Sequence, residues 1–419
     1  MKKNNLTKLM TLALAGAMLC GTGSFEVKAE ASENVDLTIW LLANKQEAIE
    51  QAISDFNAEH ENITITPSYY DVNGIKDACK VAAQSGALPS MWFNWSGTLG
   101  EYYVENGVTY DLTQYAEDNN WSDYFTSSGL EMCTMDDKLS GYPINVATMG
   151  IFYNKSIFDQ YDIQIPTTFE EFENVCATLK ENGVTPFCIG GLGGYQPMRL
   201  VEQFIEYYAG EEEHNKLNSL EDSWENDAVI KALDKFKEFN EKGYFADGFI
   251  TQDPNDTLFS LATGVGAMTL EVQNYDATIL SNELDPNDFG WFAVPNGTGR
   301  VAATAGMIQY NADLSDAEVD ACTEFLDYFF NSKYTDEYSS AFSLPLPVNG
   351  FEMPENQPHV AEMIDWASEH GTFGTTDSVF PSEVADVLFD GQESLISGNS
   401  TAEEVAANIE AAIESYKAK

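Results

Sequence analysis

Positive charge is what this sequence has least of. Its 419 residues carry 20 lysines and arginines against 68 aspartates and glutamates, a formal net charge of -48. Neutralising phosphates takes clustered Lys and Arg, so nucleic acid is excluded as a partner. Charge-driven docking on an anionic lipid surface is excluded for the same reason. The arginines are Arg199 and Arg300 alone, so a ligand bearing several negative groups would find two guanidinium groups at most. Histidine is also scarce, with four in the chain, and no Cys-x-x-Cys occurs among the six cysteines, which argues against a zinc site. Beyond the N-terminus no apolar run reaches the roughly 18 residues of a membrane span. There is no internal repeat and no low-complexity linker. The glycine-rich stretch Gly190–Gln196 lacks the Gly-Lys-Ser/Thr of a phosphate loop, so no nucleotide is expected there. Asp285-Pro-Asn-Asp288 lacks the length and the bidentate Glu of a calcium loop and reads as a turn. No cofactor and no metal are expected.

The N-terminus carries an export signal over residues 1–31. Lys2, Lys3 and Lys8 precede an apolar run from Leu9 to Leu19, and Val27-Lys28-Ala29 and Ala29-Glu30-Ala31 place small residues where a signal peptidase needs them. Cys20 offers a second reading, as a lipid-modified cysteine, although the bulky Leu19 before it departs from the usual small residue. The acidity then reads as solubility outside the cell. The five remaining cysteines, Cys79, Cys133, Cys176, Cys188 and Cys322, cannot all pair and read as buried free thiols.

Hydrophobic periodicity gives a β-α-β-α-β opening. Asp36–Leu42 reads as a strand, followed by a helix with Ile49, Ile53 and Phe56 on one face. Ile63–Tyr70 alternates as a second strand, a helix runs from about Asn73 to Gln84 and stops at Ser85-Gly86, and Ser90–Asn94 is a third strand. This order predicts a parallel sheet with helices on both faces. Gly141–Lys155 reads as an extended segment ending in a turn at Tyr153-Asn154-Lys155, after which the pattern restarts. Thr168-x-x-Glu171 is a capping box opening a helix that buries Phe169, Phe172, Cys176 and Leu179. Thr185–Gly190 reads as a strand, Met198–Gly243 as a long helical zone broken near Gly210 and Ser219. Further strands are predicted at Ala267–Leu270, Phe289–Val294 and Gly306–Tyr310. Thr401-x-x-Glu404 is a second capping box. Two α/β halves with no linker imply that the chain passes between them through strands, a construction suited to hinge closure.

Several segments, in order, resemble the extracellular solute-binding proteins of bacterial ABC sugar importers, the family that includes maltose-binding protein. They are Leu37–Trp40, Gly86–Pro89, Gly141–Ile144 with Phe152–Lys155, Pro166–Phe169, Phe259–Gly266 with Ala267-Met268, Leu344–Pro347 and Leu395–Thr401. Each is weak alone, but together they cover nearly the whole exported chain. The resemblance implies an α/β, two-lobed periplasmic-binding-protein-like fold with the ligand cleft between lobes joined by crossing segments. The crossings are expected near Asn145, Thr304–Met307 and Leu344–Val348. Lobe 1 would hold 33–145 plus 305–345, and lobe 2 would hold 146–304 plus 346–419. Three departures are visible. Pro89-Ser90 stands where many members have Pro-Asp, Glu271-Val-Gln-Asn-Tyr275 stands in place of Gly followed by a cleft tryptophan, and Ala147 stands where maltose-binding protein has Glu. The first two concern site details, and the last weakens a maltose-type reading.

The implied function is capture of a neutral sugar, a short oligosaccharide rather than a monosaccharide, for delivery to membrane permease subunits by a monomeric protein outside the cell. Sugars need aromatic platforms and planar hydrogen-bonding groups at the carboxyl ends of strands. Trp95 and Asn94 at the third strand, Asn44 after the first and Asp71 after the second are candidates. So are Tyr195 and Gln196, aimed by the Gly190–Gly194 loop, then Gln273, Asn274 and Tyr275, and Asn145 near the hinge. Arg300 fits a cleft or a surface position equally well. A secreted glycoside hydrolase, which needs a pair of carboxylates about 5–10 Å apart, and a carbohydrate-binding surface module remain the alternatives.

Overall fold

The computed structural model describes residues 34–43, 46–330, 347–350 and 355–418. Eleven strands are found among them: β1 (Val35–Leu42), β2 (Ile63–Tyr70), β3 (Met91–Trp95), β4 (Thr134–Met135), β5 (Lys138–Leu139), β6 (Gly141–Asn154), β7 (Thr185–Phe187), β8 (Gly266–Val272), β9 (Phe289–Phe292), β10 (Val301–Tyr310) and β11 (Thr372–Gly374). Nine of them join one sheet in the order β2-β1-β3-β10-β6-β8-β7, with β11 beside β10 and β9 beside β6. β1 lies parallel to β2 and β3, as the opening pattern requires, and β10 returns antiparallel to β3.

Burial follows the periodicity. In β1, Leu37, Ile39 and Leu41 point into the core, and the helix Gln46–Glu59 adds Ile49, Ile53 and Phe56. Phe56 meets Phe325 of the helix Asp316–Phe330 edge-on at 5.3 Å. These residues, with Trp92, Tyr142, Met307 and Tyr310, form a first hydrophobic core. A second core gathers Ile151, Phe172, Phe187, Phe204, Phe236, Leu270 and, from the C-terminal helices, Leu388, Val405 and Ile409. The five described cysteines are buried free thiols: Cys79, Cys133 and Cys322 in the first core, Cys176 in the second, and Cys188 in a smaller cluster with Phe152, Leu261 and Tyr275.

The two cores share β6 and β10. The first half of β6 pairs with β10, and the second half pairs with β8 and β9. β10 runs the other way, starting beside β11 and Thr148 and ending against β3. Midway the register slips: Gly306 faces Asn145, but Met307 faces Pro143, which leaves Ile144 as the extra residue of a bulge. Asn145 fills the irregularity by accepting the Gly306 N–H at 3.0 Å.

Three local expectations are revised. β6 does not turn at Tyr153. It runs to Asn154, whose carboxamide oxygen accepts from Ser156 and Ile157 and so caps the helix Lys155–Gln160. At the helix Phe169–Glu181, Thr168 caps as predicted, but the Glu171 carboxylate reaches Thr167 instead, taking its N–H and its hydroxyl, both at 2.8 Å. The expected strand Thr185–Gly190 pairs only to Phe187. Gly190 and Gly191 then lie so close to the backbone of Ile250–Pro254 that a Cβ would collide with it, at 2.5 and 2.4 Å. Pro347–Asn349 hydrogen-bond to Tyr124, Phe125 and Thr126 of the first core. The third expected crossing, Leu344–Val348, falls mostly outside the described residues, as do the export segment and Cys20.

Candidate functional site

Strand direction fixes where a ligand would meet the chain. β3 pairs with β10 from Gly306↔Trp95 to Tyr310↔Met91, so its carboxyl end lies nearest the crossing. β8 pairs with β6 with Val272 opposite Met149, so its carboxyl end lies nearest the crossing from the other side. The segments after β3, β7 and β8 therefore border the gap between the two cores.

Two aromatic rings stand there half-exposed, Trp95 from the first core's sheet and Tyr195 from the second. Phe93 braces Trp95 edge-on at 4.7 Å, and the Lys76 ammonium sits 4.8 Å above its ring. The Arg199 guanidinium lies 5.0 Å from the Tyr195 ring. Arg199 is paired within its own half, donating to Glu271 at 3.0 Å, and Gln196 holds the other Glu271 oxygen with a short hydrogen bond. Burial raises the Glu271 carboxyl above its usual range, opposed by Arg199 and Gln196. Burial also raises Tyr195, opposed by Arg199 and reinforced by Glu271, Asp253 and Asp377.

The sequence-predicted amides mostly turn inward. Asn94 is buried, giving its NH2 to Leu99 O and Gln309 and accepting from the Trp95 N–H, so it orients the ring beside it. Gln196 is fully buried and accepts from Gly190 at 2.6 Å, locking the glycine loop to β8 instead of facing the gap. Gln273 is likewise buried: its oxygen accepts from the Thr148 hydroxyl at 2.6 Å and its NH2 donates to Val146 O at 2.6 Å. It pins the crossing strand. Tyr275 is buried against Phe152. Asn274 is half-exposed, Asp71 is exposed and caps the helix Val72–Ser85 through Gly74, and Asn145 is half-exposed at the bulge. Asn44 lies outside the described residues.

The cleft position considered for Arg300 gives way to a buried anchor. Its guanidinium makes a fork with both oxygens of Glu206, at 2.8 Å each, and also donates to Asn215 and Thr372 O. Burial works against the Glu206 charge, but hydrogen bonds from His214, Arg300 and Thr298 hold its pKa at about 2. Nearby on the same helix, Glu202 is fully buried and burial pushes it up to about 8, opposed by the Thr376 N–H and hydroxyl.

The two halves also touch. Gly97, at φ +73°, lies against Val379, where a Cβ would come within 2.7 Å of a methyl group. Lys80 meets Glu383 at 3.4 Å. A cavity of about 90 Å³ opens between the halves, lined by Lys76, Lys80, Asn94, Tyr102, Glu383 and Tyr416. Lys76, Glu271 and Asp377 were not singled out as site residues from the sequence, and Arg199 only as one of two arginines in segments expected to line the cleft. The available signals were the spacing of Lys76 and Lys80, one helical turn apart in a lysine-poor chain, and the departure at Glu271.

Residues 42–336 match the family model described as bacterial extracellular solute-binding protein. The chain belongs to that family. A solute-binding protein of this kind fits the arrangement above, in which the two halves of one sheet, on either side of the crossing strands, turn carboxyl ends and one aromatic each toward a shared gap. Among characterised relatives, the multiple sugar-binding protein of Streptococcus mutans is 22% identical over 87% of this chain and 91% of its own length. The galactooligosaccharide-binding protein of Bacillus subtilis is 21% identical over 78% and 76%. Among solved structures, a chitin oligosaccharide binding protein superposes with a TM-score of 0.80 at 20% identity, covering 92% of this chain and 100% of its own. The solute-binding protein RafE in complex with raffinose gives 0.69 at 18%, covering 92% and 100%. At such identities the structures establish the two-lobed α/β fold. No helix among the described residues is long and apolar enough to cross a membrane.

Proposed function

We propose that this solute-binding protein is the capture subunit of an ABC importer for a neutral short oligosaccharide, which it encloses by hinge closure and hands to membrane permease subunits. The observation that carries the reading is the pair of half-exposed rings, Trp95 and Tyr195, one on each side of the gap beside the crossing strands. Flat ring faces suit the apolar face of a pyranose, and opposed placement suits enclosure. Neutrality follows from charge. Arg199 and Lys76 are the cations at the rings, but Arg199 is already paired with Glu271, and Asp253 and Asp377 also act on Tyr195, so little positive charge is left for an anionic sugar. Asp71, Asn145, Asn274 and Asn44 complete the ligand-facing candidates. Asn94, Gln196 and Gln273 act behind them by bracing the walls.

In this reading lobe 1 covers residues 33–145 plus 305–345 and lobe 2 covers 146–304 plus 346–419, with Pro347–Asn349 still packed on lobe 1. The protein works outside the cell as a monomer, exported by residues 1–31, with or without a lipid on Cys20. It performs no catalysis. A thermal-shift screen with raffinose, stachyose and chitin oligosaccharides tests the proposal, since a ligand that binds only the folded state stabilises it by about 2.7 kcal/mol at a hundredfold excess over Kd. A panel with no shift overturns it, and release of reducing ends during incubation would favour the hydrolase reading instead.

A further inference from the structure

We propose that Lys76 and Lys80 form an electrostatic latch that holds the two lobes together, with Lys76 also serving as the positioning residue for Trp95. The described first lobe contains three lysines, Lys76, Lys80 and Lys138, and no arginine. Lys138 is spent locally on Asp136 at 3.3 Å. The other two are four residues apart on one face of the helix Val72–Ser85, and both are directed at the second lobe. Lys80 pairs with Glu383 across the gap at 3.4 Å. Lys76 is half-buried: burial lowers its pKa, opposed by the charges of Asp377 and Asp386 of the second lobe, which lie beyond salt-bridge distance.

The physical need for such a device is set by the composition. A chain with a net charge of -48 has two lobes that repel each other as they approach, and closing the gap brings acids on the helix Ser382–Ile396 toward the first lobe. Two ammonium groups at the point of approach convert part of that repulsion into attraction. Their position also ties closure to capture. Lys76 rests on the face of Trp95 at 4.8 Å and lines the cavity between the halves together with Lys80 and Glu383, so an attraction toward the second lobe's acids would hold the ring best when the lobes are together. On the other wall Arg199 sits by Tyr195 at 5.0 Å but is paired inside its own lobe, so it does not depend on closure.

The inference rests on the proposed function only where sugar binding is measured. Small-angle scattering without added sugar tests it independently, on the full exported chain in low and in high sodium chloride. A Lys76→Gln/Lys80→Gln double variant should be more expanded than wild type at low salt. The difference between the two should shrink at high salt, because salt screens the lobe-to-lobe attraction that only the wild type has. Lys80→Glu should expand the protein, and adding Glu383→Lys should restore compaction, which separates a latch from a folding defect. In calorimetry with raffinose or stachyose, the double variant should bind about threefold to tenfold more weakly than wild type, as the loss of one partly exposed pair and of a cation on the Trp95 ring would give. The latch is overturned if the double variant is as compact as wild type at low salt, or if the charge swap fails to rescue. If no sugar binds the wild type, the proposed function fails while the scattering result still decides the latch.

Discussion

The two walls of the gap use the same pair of side-chain types in opposite ways. Each presents one aromatic ring with a cation near its face: Trp95 with Lys76 on the first lobe, Tyr195 with Arg199 on the second. Arg199 belongs to a circuit closed within its lobe, through Glu271 and Gln196 to Gly190. Lys76 has no partner of that kind within its lobe and feels the charges of Asp377 and Asp386 of the other lobe, against the cost of its burial. The difference follows from the residues. Guanidinium can hold a carboxylate and still lie beside a ring, so it builds a rigid wall. Ammonium on a flexible stem is better suited to a contact that forms and breaks. One wall is set before a ligand arrives, and the other is completed when the lobes meet.

The largest effect is expected where the rigid wall is anchored. Arg300→Ala would leave Glu206 charged and buried without its fork, a change that typically costs about 3–5 kcal/mol. Denaturant melts should show that loss, while sugar affinity of the folded protein stays within about twofold, because Arg300 is buried and its guanidinium is taken up by Glu206, Asn215 and Thr372. An affinity loss matching the stability loss would return Arg300 to the site.

Next in size is a pH effect confined to the second lobe. Glu202 is raised from 4.5 to about 8 by burial, so its protonated form favours the fold. That contribution is fully present below about pH 4.5 and is lost as pH rises through 8, on the order of a few kcal/mol. Glu206 runs the other way: depressed to about 2, it contributes above pH 4.5 and that contribution is lost as pH falls toward 2. Glu202→Gln should flatten the stability profile between pH 5 and 8 and leave the acid limb intact. An unchanged slope would show that Glu202 does not titrate in this window.

Smaller effects separate the walls directly. Trp95→Ala and Tyr195→Ala should each weaken sugar binding by about 1–3 kcal/mol, the usual range for an aromatic anchor, with little change in melting temperature. If only one does, the ligand leans on one wall. Smallest of all, Glu271→Gln should lower affinity less than tenfold and leave its salt dependence as in wild type, because the Arg199 pair is internal to one lobe. A salt response altered as much as by Lys76→Gln would erase the distinction.

Much of the site's neighbourhood was legible in the sequence, and much of its detail was not. Strand ends identify loops, so Trp95, Tyr195 and Gln273 were found by their positions after apolar segments. Which way a side chain turns is set by partners far along the chain. Asn94 is claimed by Gln309, Gln273 by Thr148 and Val146, and Gln196 by Glu271. An amide placed beside unpaired backbone or a carboxylate gains more by satisfying it in a dry interior than by waiting in water. The aromatic rings carry little such demand and stayed at the surface.

By itself the sequence determined the alternation of strands and helices, the extended Gly141–Asn154 segment that links two halves, the acidity, and the family. Those follow from local periodicity, capping and composition, which act over a few residues. Only the tertiary structure decided that the expected crossings would pair as β6 and β10 with a bulge at Ile144, that Arg300 would anchor a core, and that Lys80 would meet Glu383 from 303 residues away. Those depend on which surfaces the two cores bring within a few ångströms of each other, and no short stretch of sequence encodes that distance.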